Sequence, residues 1–282
     1  NTIDYSSAQA DSAASRAIFV TQGSSNVFSV VVASNPAGIA FRANFAPNMT
    51  VSQSTAVSNS ASTAFDVLSS TGVRLTQVYA YNAGGAALSF NSSSHYGVFA
   101  GGVAVSSGAA TTFDIVGTAS LTVSGLKASN LGTVTANAVR ITGVSYSAVS
   151  LTTATTNGTA AFHVLGSTSN VFTGLYAQSN GAAGIAFHNT TNSHENAVSQ
   201  STFVVSNAGA VAVSVDNSSS GTLTGLFIQN SAGMGLSMYL TDKNVIQDST
   251  FTTAGTGVQA VLLNQSSDNI LRRQYVRNPT GD

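Results

Sequence analysis

Charge and cysteine are scarce in this sequence. The 282 residues include no Cys, no Trp and three Pro, and only 7% of them are charged. Without cysteine the chain can form neither a disulfide framework nor a thiolate site. Its formal net charge is −1, with no basic cluster before Arg272, Arg273 and Arg277, so we expect neither nucleic acid nor an anionic membrane surface as a partner. No apolar run approaches the roughly 18 residues of a membrane span, which predicts no membrane insertion.

Hydroxyl and amide side chains take the place of charge. The chain has 43 Ser, 32 Thr and 23 Asn, and 43% of its residues are hydrophobic. A disordered low-complexity tail would have few apolar residues, so the hydrophobic fraction indicates a folded chain. Sparse charge with abundant hydroxyl and amide groups is typical of a secreted or exposed protein. We predict an extracellular location, or one at a cell or virion surface.

A five-residue pattern recurs along the chain: apolar, small, large apolar, polar, apolar. Clear copies begin at Ile39, Thr63, Ala86 and Thr111. We identify ten copies, which start at residues 39, 63, 86, 111, 134, 160, 185, 211, 234 and 258. A fixed spacing in the range of roughly 20–50 residues is the signature of a solenoid, in which each repeat forms one turn.

Alternation of apolar and polar residues within the pattern predicts a β-strand with one buried face. We expect the third position to point inward and to stack along the axis, and the second and fourth positions to point outward. The inward ladder would consist of Phe41, Phe65, Leu88, Phe113, Ala136, Phe162, Phe187, Val213, Leu236 and Ala260.

The repeat length selects the class of solenoid. About 24 residues per turn, with two or three short strands each, fits a parallel β-helix, whereas a propeller blade is nearly twice as long and a leucine-rich repeat needs a Leu-x-x-Leu-x-Leu pattern. The sequence therefore predicts an all-β parallel β-helix of about eleven turns, one domain over residues 21–282. Residues 1–20 would form an N-terminal cap, in which Ser6 and Ser7 are suited to begin a short helix.

Asparagine recurs in the turn ahead of the pattern. Asn tolerates left-handed backbone, and its amide can hydrogen-bond to neighbouring turns, so we predict an asparagine ladder at one corner. Its members would be Asn35, Asn59, Asn82, Asn130, Asn157, Asn180, Asn207, Asn230 and Asn278.

These features resemble the parallel β-helix repeats of the pectate-lyase-like superfamily. The resemblance rests on the Asn26-Val27-Phe28 opening, the Ser-Asn turn and the Gly-Ile-Ala-Phe strand, and it covers about Asn26 to Asn278. It implies a single-stranded right-handed coil. It implies little about activity, because the superfamily includes polysaccharide lyases and hydrolases, phage tailspikes, adhesins and structural proteins. The motifs of polygalacturonases, and the clustered acids of calcium-dependent pectate lyases, are absent from this sequence.

The fourth position of the pattern gives an outward row with ionisable side chains. Asp66 and Asp114 would lie two turns apart, roughly 9.5 Å, at the upper end of the carboxylate separation in inverting glycosidases. Arg42 would lie one turn from Asp66. These three residues are the catalytic candidates if the protein acts on carbohydrate, and a solvated polar row is the simpler interpretation. The full row would be Arg42, Asp66, Ser89, Asp114, Asn137, His163, His188, Ser214, Ser237 and Val261.

His163 and His188 fall on adjacent turns of this row and are weak candidates for a shared metal. No third ligand is evident, since Asn137 and Ser214 are poor ligands. Two surface imidazoles are the simpler interpretation, and we predict neither a metal nor a cofactor.

Small residues fill the second position and would form a flat outward face. Such a face is suited to close packing against another rod. A face covered by a segment of the same chain is the alternative. The predicted packing face consists of Ala40, Ala64, Ala87, Thr112, Thr135, Ala161, Ala186 and Ala212.

Two functions remain open from the sequence. The first is a structural or adhesive rod that self-associates into a fibre or surface layer, which sparse charge and the small-residue face favour. The second is a carbohydrate-active or glycan-binding β-helix with a polysaccharide partner, which a groove walled by long loops over Asp66 to His163 would favour. The C-terminal end, up to Asp282, shows no capping helix, so we also predict that another chain covers it. The alternatives are a frayed last turn protected by its arginines and a native protein longer than this chain.

Overall fold

The chain folds into a solenoid of short strands. The computed structural model describes residues 1–132, 135–255 and 257–279. Over these residues it contains 32 β-strands and no α-helix, and thus no helix long and apolar enough to cross a membrane. Val134, where one copy of the pattern was expected to start, and Asp282 lie outside the described residues.

Each turn contributes strand segments to two sheets, an eleven-stranded sheet and a 21-stranded sheet. The eleven-stranded sheet contains β3 (Arg16–Thr21), β6 (Ile39–Asn44), β9 (Phe65–Leu68), β11 (Leu88–Asn91), β13 (Phe113–Val116), β15 (Val139–Thr142), β18 (Ala160–Leu165), β21 (Ile185–Thr190), β24 (Val211–Asp216), β27 (Met234–Tyr239) and β30 (Val261–Asn264).

The 21-stranded sheet bends into two limbs. The first limb contains β1 (Thr2–Asp4), β4 (Val27–Ser29), β7 (Thr50–Ser52), β16 (Ala148–Ser150), β19 (Val171–Thr173), β22 (Ala197–Ser199), β25 (Thr222–Thr224), β28 (Val245–Gln247) and β31 (Ile270–Arg272). The second limb contains β2 (Ser7–Gln9), β5 (Val32–Asn35), β8 (Thr55–Ser58), β17 (Thr153–Thr156), β20 (Tyr176–Ser179), β23 (Thr202–Val205), β26 (Phe227–Asn230), β29 (Thr250–Thr253) and β32 (Tyr275–Arg277). Three long strands run through both limbs: β10 (Arg74–Asn82), β12 (Val98–Ser106) and β14 (Thr122–Asn130).

All strand pairings are parallel and join each turn to the next. Phe41 pairs with Phe65, for example, and Ser237 pairs with Leu262. This confirms the predicted all-β parallel solenoid of about eleven turns with roughly 24 residues each. The core therefore lies inside the coil, enclosed by the eleven-stranded sheet and the two limbs.

The predicted phenylalanine ladder is the centre of this core. Phe41, Phe65, Phe113, Phe162 and Phe187 are each at most 1% exposed. The rings of Phe41 and Phe65 stack with centroids 4.5 Å apart and an interplanar angle of 8°. Identical side chains stack because every turn repeats the same backbone path at the strand spacing.

Two of the ten copies were placed in the wrong phase. In the fifth copy Phe113 pairs with Val139, so the inward residue is Val139 and not Ala136. In the last copy Leu236 pairs with Val261, so Val261 takes the place predicted for Ala260. The connections that precede these two strands contain extra residues, and short Ala-rich segments there imitate the pattern.

The second position of the pattern is buried, which makes the predicted packing face wrong. Ala40, Ala64, Ala87, Thr112, Ala161, Ala186 and Ala212 are all 0% exposed. Only Thr135, which belongs to the misplaced copy, is exposed. The backbone N–H groups of Ala40 and Phe41 both donate to the carbonyl oxygen of Ala64, at 3.2 and 2.9 Å. Two consecutive residues thus oppose one, as in a β-bulge, and both turn their side chains inward.

Four of the predicted asparagines line the corner between the second limb and the eleven-stranded sheet. Asn35, Asn82, Asn130 and Asn230 are at most 1% exposed. Asn130 Nδ2 donates to the carbonyl oxygen of Ala110 and to Ser106 Oγ, one turn earlier. Ser58, Ser106, Thr156 and Ser179 fill most of the other turns of this column. Asn59, Asn157 and Asn180 are exposed and Asn207 is half-buried, all lying one or two residues beyond the corner column, so the predicted ladder is right only in part.

The N-terminal segment is extended, and the predicted short helix is wrong. β1, β2 and β3 pair with β4, β5 and β6, so residues 2–21 form a first turn of the coil. The alternation of Ile18 and Val20 toward the core outweighs the alanine-rich composition, because cross-strand pairing supplies bonds that an isolated short helix lacks. The boundary between a cap and the coil at residue 20 remains a prediction.

Candidate ligand-binding site

The outer face of the eleven-stranded sheet carries a continuous row of polar side chains. Cross-strand pairing aligns the fourth position of successive turns in one column. We call this column, with Asp216 beside it, the polar row. Its members are Arg42, Asp66, Ser89, Asp114, Arg140, His163, His188, Ser214 and Asp216.

The first group of the polar row is centred on Asp66, which is only 7% exposed. Ser89 Oγ donates to Asp66 Oδ1 at 2.6 Å. Arg42 Nε lies 3.3 Å from Asp66 Oδ2 and forms an ion pair without hydrogen-bond geometry. The carboxylate is thus held from both neighbouring turns, which compensates for its burial.

The second group is a bidentate ion pair between Asp114 and Arg140. Arg140 Nε donates to Asp114 Oδ1 at 2.8 Å, and Nη2 donates to Oδ2 at 2.6 Å. The hydrogen bonds to Asp114 raise the pKa of the Arg140 guanidinium above its ordinary value, against the opposing effect of burial. The Arg140 side chain is 40% exposed, so the pair is reachable from solvent.

The third group contains two stacked imidazoles. The rings of His163 and His188 lie parallel, with centroids 5.0 Å apart and an interplanar angle of 9°. His188 Nε2 is hydrogen-bonded to Asp216 Oδ2 at 2.7 Å, and Ser214 Oγ donates to the same oxygen at 2.8 Å. His163 Nε2 is buried and has no hydrogen-bond partner.

His163 is an uncharged imidazole at neutral pH. Burial is the main cause, and the neighbouring His188 and Arg140 add to it, which together lower the pKa of His163 to about 4. The stacking of His163 on His188 is consistent with this, since two adjacent imidazolium ions would repel each other.

The sequence located most of this row but missed two members that complete it. Asp66, Asp114 and Arg42 share the outer face as predicted, and so do His163 and His188. Arg140 replaces Asn137 as the fourth-position residue of its turn, and Leu262 replaces Val261. Arg140 lies 26 residues after Asp114, so the search for an opposite charge one repeat later would have found it.

Asp216 was missed for a different reason. It occupies the sixth position of its turn, which also points outward by strand alternation. A column drawn through the fourth position alone omits Asp216, although the alternation rule applies to the whole strand.

A family comparison identifies the chain. The model of a family described as periplasmic copper-binding protein (NosD) matches residues 104–278, more than half of the sequence. The chain belongs to the NosD family. The match covers the second half of the polar row, from Asp114 onward. No curated protein sequence matches the chain.

Solved structures of low sequence identity share the fold. The catalytic domain of a GH87 alpha-1,3-glucanase in complex with tetrasaccharides is 12% identical, with a TM-score of 0.60, over 100% of this chain and 63% of that one. DFA-IIIase from Arthrobacter chlorophenolicus A6 in complex with GF2 is 11% identical, with a TM-score of 0.57, over 88% and 67%. Tailspike protein 3 of bacteriophage CBA120 is 13% identical, with a TM-score of 0.56, over 98% and 49%. These similarities support the parallel β-helix fold that the resemblance to the pectate-lyase-like superfamily implies.

The residues of this NosD-family chain do not fit a copper site. Copper in proteins is bound by imidazole, thiolate and thioether groups. The chain has no Cys, and of its three methionines Met49 and Met238 are buried in the core at 0% exposure while Met234 is half-buried. Among the described residues, no group of three or more His, Cys, Asp or Glu side chains is arranged to hold a metal ion.

The four histidines do not form a copper site either. The parallel rings of His163 and His188 cannot direct two nitrogens at one ion without rotation, and Asp216 already engages His188. His194 Nδ1 accepts a hydrogen bond from the Ser219 backbone N–H at 3.1 Å. His95 lies on another turn, apart from the others. We therefore assign no chemistry to a metal here.

Proposed function

We propose that this protein is an extracytoplasmic β-helix that binds a polysaccharide at the polar row without cleaving it. One observation carries the proposal: in a chain with only 7% charged residues, two charged pairs and a paired histidine are aligned on one outer face. Each is held by a residue of a neighbouring turn. Side chains that are fixed before binding lose little conformational entropy when they engage a ligand.

The chemistry of the row suits sugar hydroxyl groups. Carboxylates accept hydrogen bonds, a guanidinium donates them, and imidazole and serine can do either. The row contains both charge signs, so it offers no single-sign field for an anionic or cationic macromolecule. A flat, mixed row of donors and acceptors along the axis matches an extended chain of hydroxyl-bearing units.

The comparisons are compatible with this proposal. The structurally similar glucanase holds tetrasaccharides, so a coil of this shape can present a saccharide-binding surface. The family is described as periplasmic, which supports an extracytoplasmic location. Location at a cell or virion surface is not required by the proposal and stays a prediction.

Binding is favoured over cleavage by the state of the two carboxylates. A hydrolase with an inverting mechanism needs one carboxylic acid and one free carboxylate. Both oxygens of Asp114 accept hydrogen bonds from Arg140, and both oxygens of Asp66 are engaged by Arg42 and Ser89. Each oxygen keeps a lone pair that can accept from a sugar hydroxyl. Both carboxylates are nevertheless fixed by partners from neighbouring turns, and among the described residues no second carboxyl group is paired with either as an acid and a base. Catalysis by Asp66, Asp114 and Arg42 therefore remains only a prediction from their spacing.

Self-association into a fibre receives less support. Its main sequence argument was a small-residue packing face, and those side chains are buried in the core. Coverage of the C-terminal end by another chain concerns a region that reaches beyond the described residues, and it stays a prediction.

The proposal is tested by polysaccharide binding of a paired variant. Asp114→Asn together with Arg140→Gln removes both charges and leaves no buried charge unpaired. We expect this double variant to lose roughly tenfold or more in affinity, the loss typical of a central binding residue, measured by affinity electrophoresis in gels containing alpha-1,3-glucan, inulin or polygalacturonate.

Tyr146→Ala serves as the control, because Tyr146 is an exposed tyrosine at a corner outside the polar row. It should bind as the wild type does. Equal affinity of the wild type and the double variant for every polysaccharide, or release of reducing sugar by the wild type, would contradict the proposal.

A further inference from the structure

A second outer surface, on the second limb, has a regular chemistry that the polar row does not share. Pairing aligns one outward column across five turns: Tyr176, Thr202, Phe227, Thr250 and Tyr275. Aromatic and threonine side chains alternate strictly along it. We call this column the aromatic track.

The three rings of the aromatic track are open to solvent. Tyr176 is 38% exposed, Phe227 is 42% exposed and Tyr275 is 60% exposed. Their neighbours on the inner side, Ala177 and Ile228, belong to the core. The core therefore fixes the backbone beside Tyr176 and Phe227. In contrast, Val276, beside Tyr275, is 52% exposed, and the third ring is held by the pairing of its strand with β29.

A second outward column runs beside the first and has the same two-turn period. Two residues after each ring comes a long planar polar side chain: Gln178, Gln229 or Arg277. Tyr176 Oη donates to Gln178 Oε1 at 3.1 Å, which orders the first of these pairs. The intervening turns carry shorter side chains, Val204 and Thr252.

The two-turn period sets a distance. Parallel strands lie about 4.8 Å apart, so successive rings are separated by roughly 9.6 Å along the axis. This is close to the length of two sugar units in an extended glycan, in which every second unit presents the same face. Aromatic rings stack on the apolar face of a sugar, while amide and hydroxyl groups reach its hydroxyls.

Charge and apolar continuity select among possible occupants. Arg277 is the one charged member of the two columns that run from Tyr176 to Arg277, so the other members offer no charge to an anionic chain. A protein interface would need a contiguous apolar core, and here a threonine separates each ring from the next. An uncharged extended chain with repeated hydroxyl groups fits both features.

We infer that the aromatic track binds a neutral polysaccharide along the solenoid axis, with one ring for every second sugar unit. This site goes beyond the proposed function, because it lies on the second limb and not on the eleven-stranded sheet. Both sites take carbohydrate, and the two are separated by the variants below.

The test uses gluco-oligosaccharides of two, four and six units, both beta-1,4- and alpha-1,3-linked, titrated calorimetrically into the full chain. Affinity for at least one linkage should rise with length up to six units, because the longer chain spans three rings. Phe227→Ala should lower the affinity for the hexasaccharide about tenfold or more, and Phe227→Tyr should retain it. Polygalacturonate, an anionic chain, should bind no better than the neutral oligosaccharides.

Tyr146→Ala is the matched control, because Tyr146 is an exposed tyrosine at a corner away from the track. Unchanged hexasaccharide binding in Phe227→Ala, or an equal loss in Tyr146→Ala, would overturn the inference. So would a Phe227→Ala variant that loses only self-association in light scattering.

Two outcomes separate the two sites. If Phe227→Ala alone loses carbohydrate binding, the inference about the aromatic track is supported and the proposal that the polar row binds polysaccharide is contradicted. Loss only in the Asp114→Asn/Arg140→Gln variant gives the opposite result.

Discussion

At the scale of single residues, the inward column and the polar row follow the same repeat but are stabilised by different interactions. Phe113 and Phe162 are 0% exposed and stabilise the coil through burial of apolar surface. Asp66 and Asp114 stand on the opposite face and depend on partners one turn away. A substitution in the first column therefore changes stability, whereas one in the second changes local charge balance.

Phe113→Ala or Phe162→Ala should lower the free energy of unfolding by about 3–5 kcal/mol, because each leaves a cavity in the middle of the stack. Urea denaturation followed by circular dichroism measures the change. Tyr146→Ala, at an exposed corner, should change it by less than about 0.5 kcal/mol. A loss below about 1 kcal/mol at both phenylalanines would be incompatible with their burial.

His163 should make stability depend on pH. Its pKa is lowered to about 4 in the folded chain, from an ordinary value of 6.5. Between these pH values the unfolded chain binds more protons, so the stability contribution is complete above pH 6.5 and is lost as the pH falls toward 4. The loss should be on the order of 1–2 kcal/mol, since solvent screening reduces the effect of the shift.

The measurement compares wild type with His163→Gln at pH 7 and at pH 4.5. Gln cannot titrate, so the variant should lose less stability over this interval than the wild type. All other side chains are the same in the two proteins, so the comparison isolates the effect of the imidazole at position 163. Parallel pH profiles for the two proteins would show that His163 is not the group responsible.

At the scale of elements, the corners determine how each turn closes. Between the limbs, and after the eleven-stranded sheet, a residue with positive φ bends the chain, as Val30 and Phe45 do at 53° and 50°. Between the second limb and the eleven-stranded sheet, buried Asn and Ser side chains hydrogen-bond the backbone instead. Gly102, with φ of 145°, must be glycine, because a Cβ would lie 2.5 Å from the carbonyl oxygen of Val78.

Asn130→Ala should destabilise the coil by about 2–3 kcal/mol. The change leaves the backbone groups of Ala110 and Gly132 without the partner that now satisfies them in the core. Asn157→Ala is the control, because Asn157 is exposed and its bonds can be replaced by water. Thermal unfolding should separate the two variants, and equal melting temperatures would contradict a structural role for the corner.

At the scale of the whole molecule, a solenoid presents long columns on each outer face. One column carries the paired charges of the polar row and another carries the rings of the aromatic track. The parallel stack gives each column a fixed spacing, so that a ligand with its own repeat can contact several turns at once. Affinity then grows with the number of turns engaged.

Copper should not stabilise the folded chain. A metal bound to the native state raises the melting temperature by mass action, and the described residues contain no cluster that could hold one. Thermal scans with copper and with a chelator should therefore agree. A saturable rise in melting temperature with copper, abolished by His188→Gln, would contradict this expectation.

The sequence by itself determined the coil, its period, most of its inward ladder and most of the charged residues on one face. These follow from local rules, since strand alternation and corner residues repeat every turn regardless of what lies far away. Tertiary structure decided the register. Extra residues before Val139 displaced Arg140 by three positions from its predicted place, and only cross-strand pairing brings it to Asp114.

Burial of the second position was likewise determined by the fold. Alternation alone predicts that Ala40 points outward, but the bulge in which Ala40 and Phe41 both donate to one carbonyl oxygen turns its side chain inward. The partner of Asp216 was also determined by the fold, because His188 lies 28 residues earlier in the sequence but one turn away in space. A repeat fixes which positions are equivalent, whereas the length of each connection fixes which side chains meet.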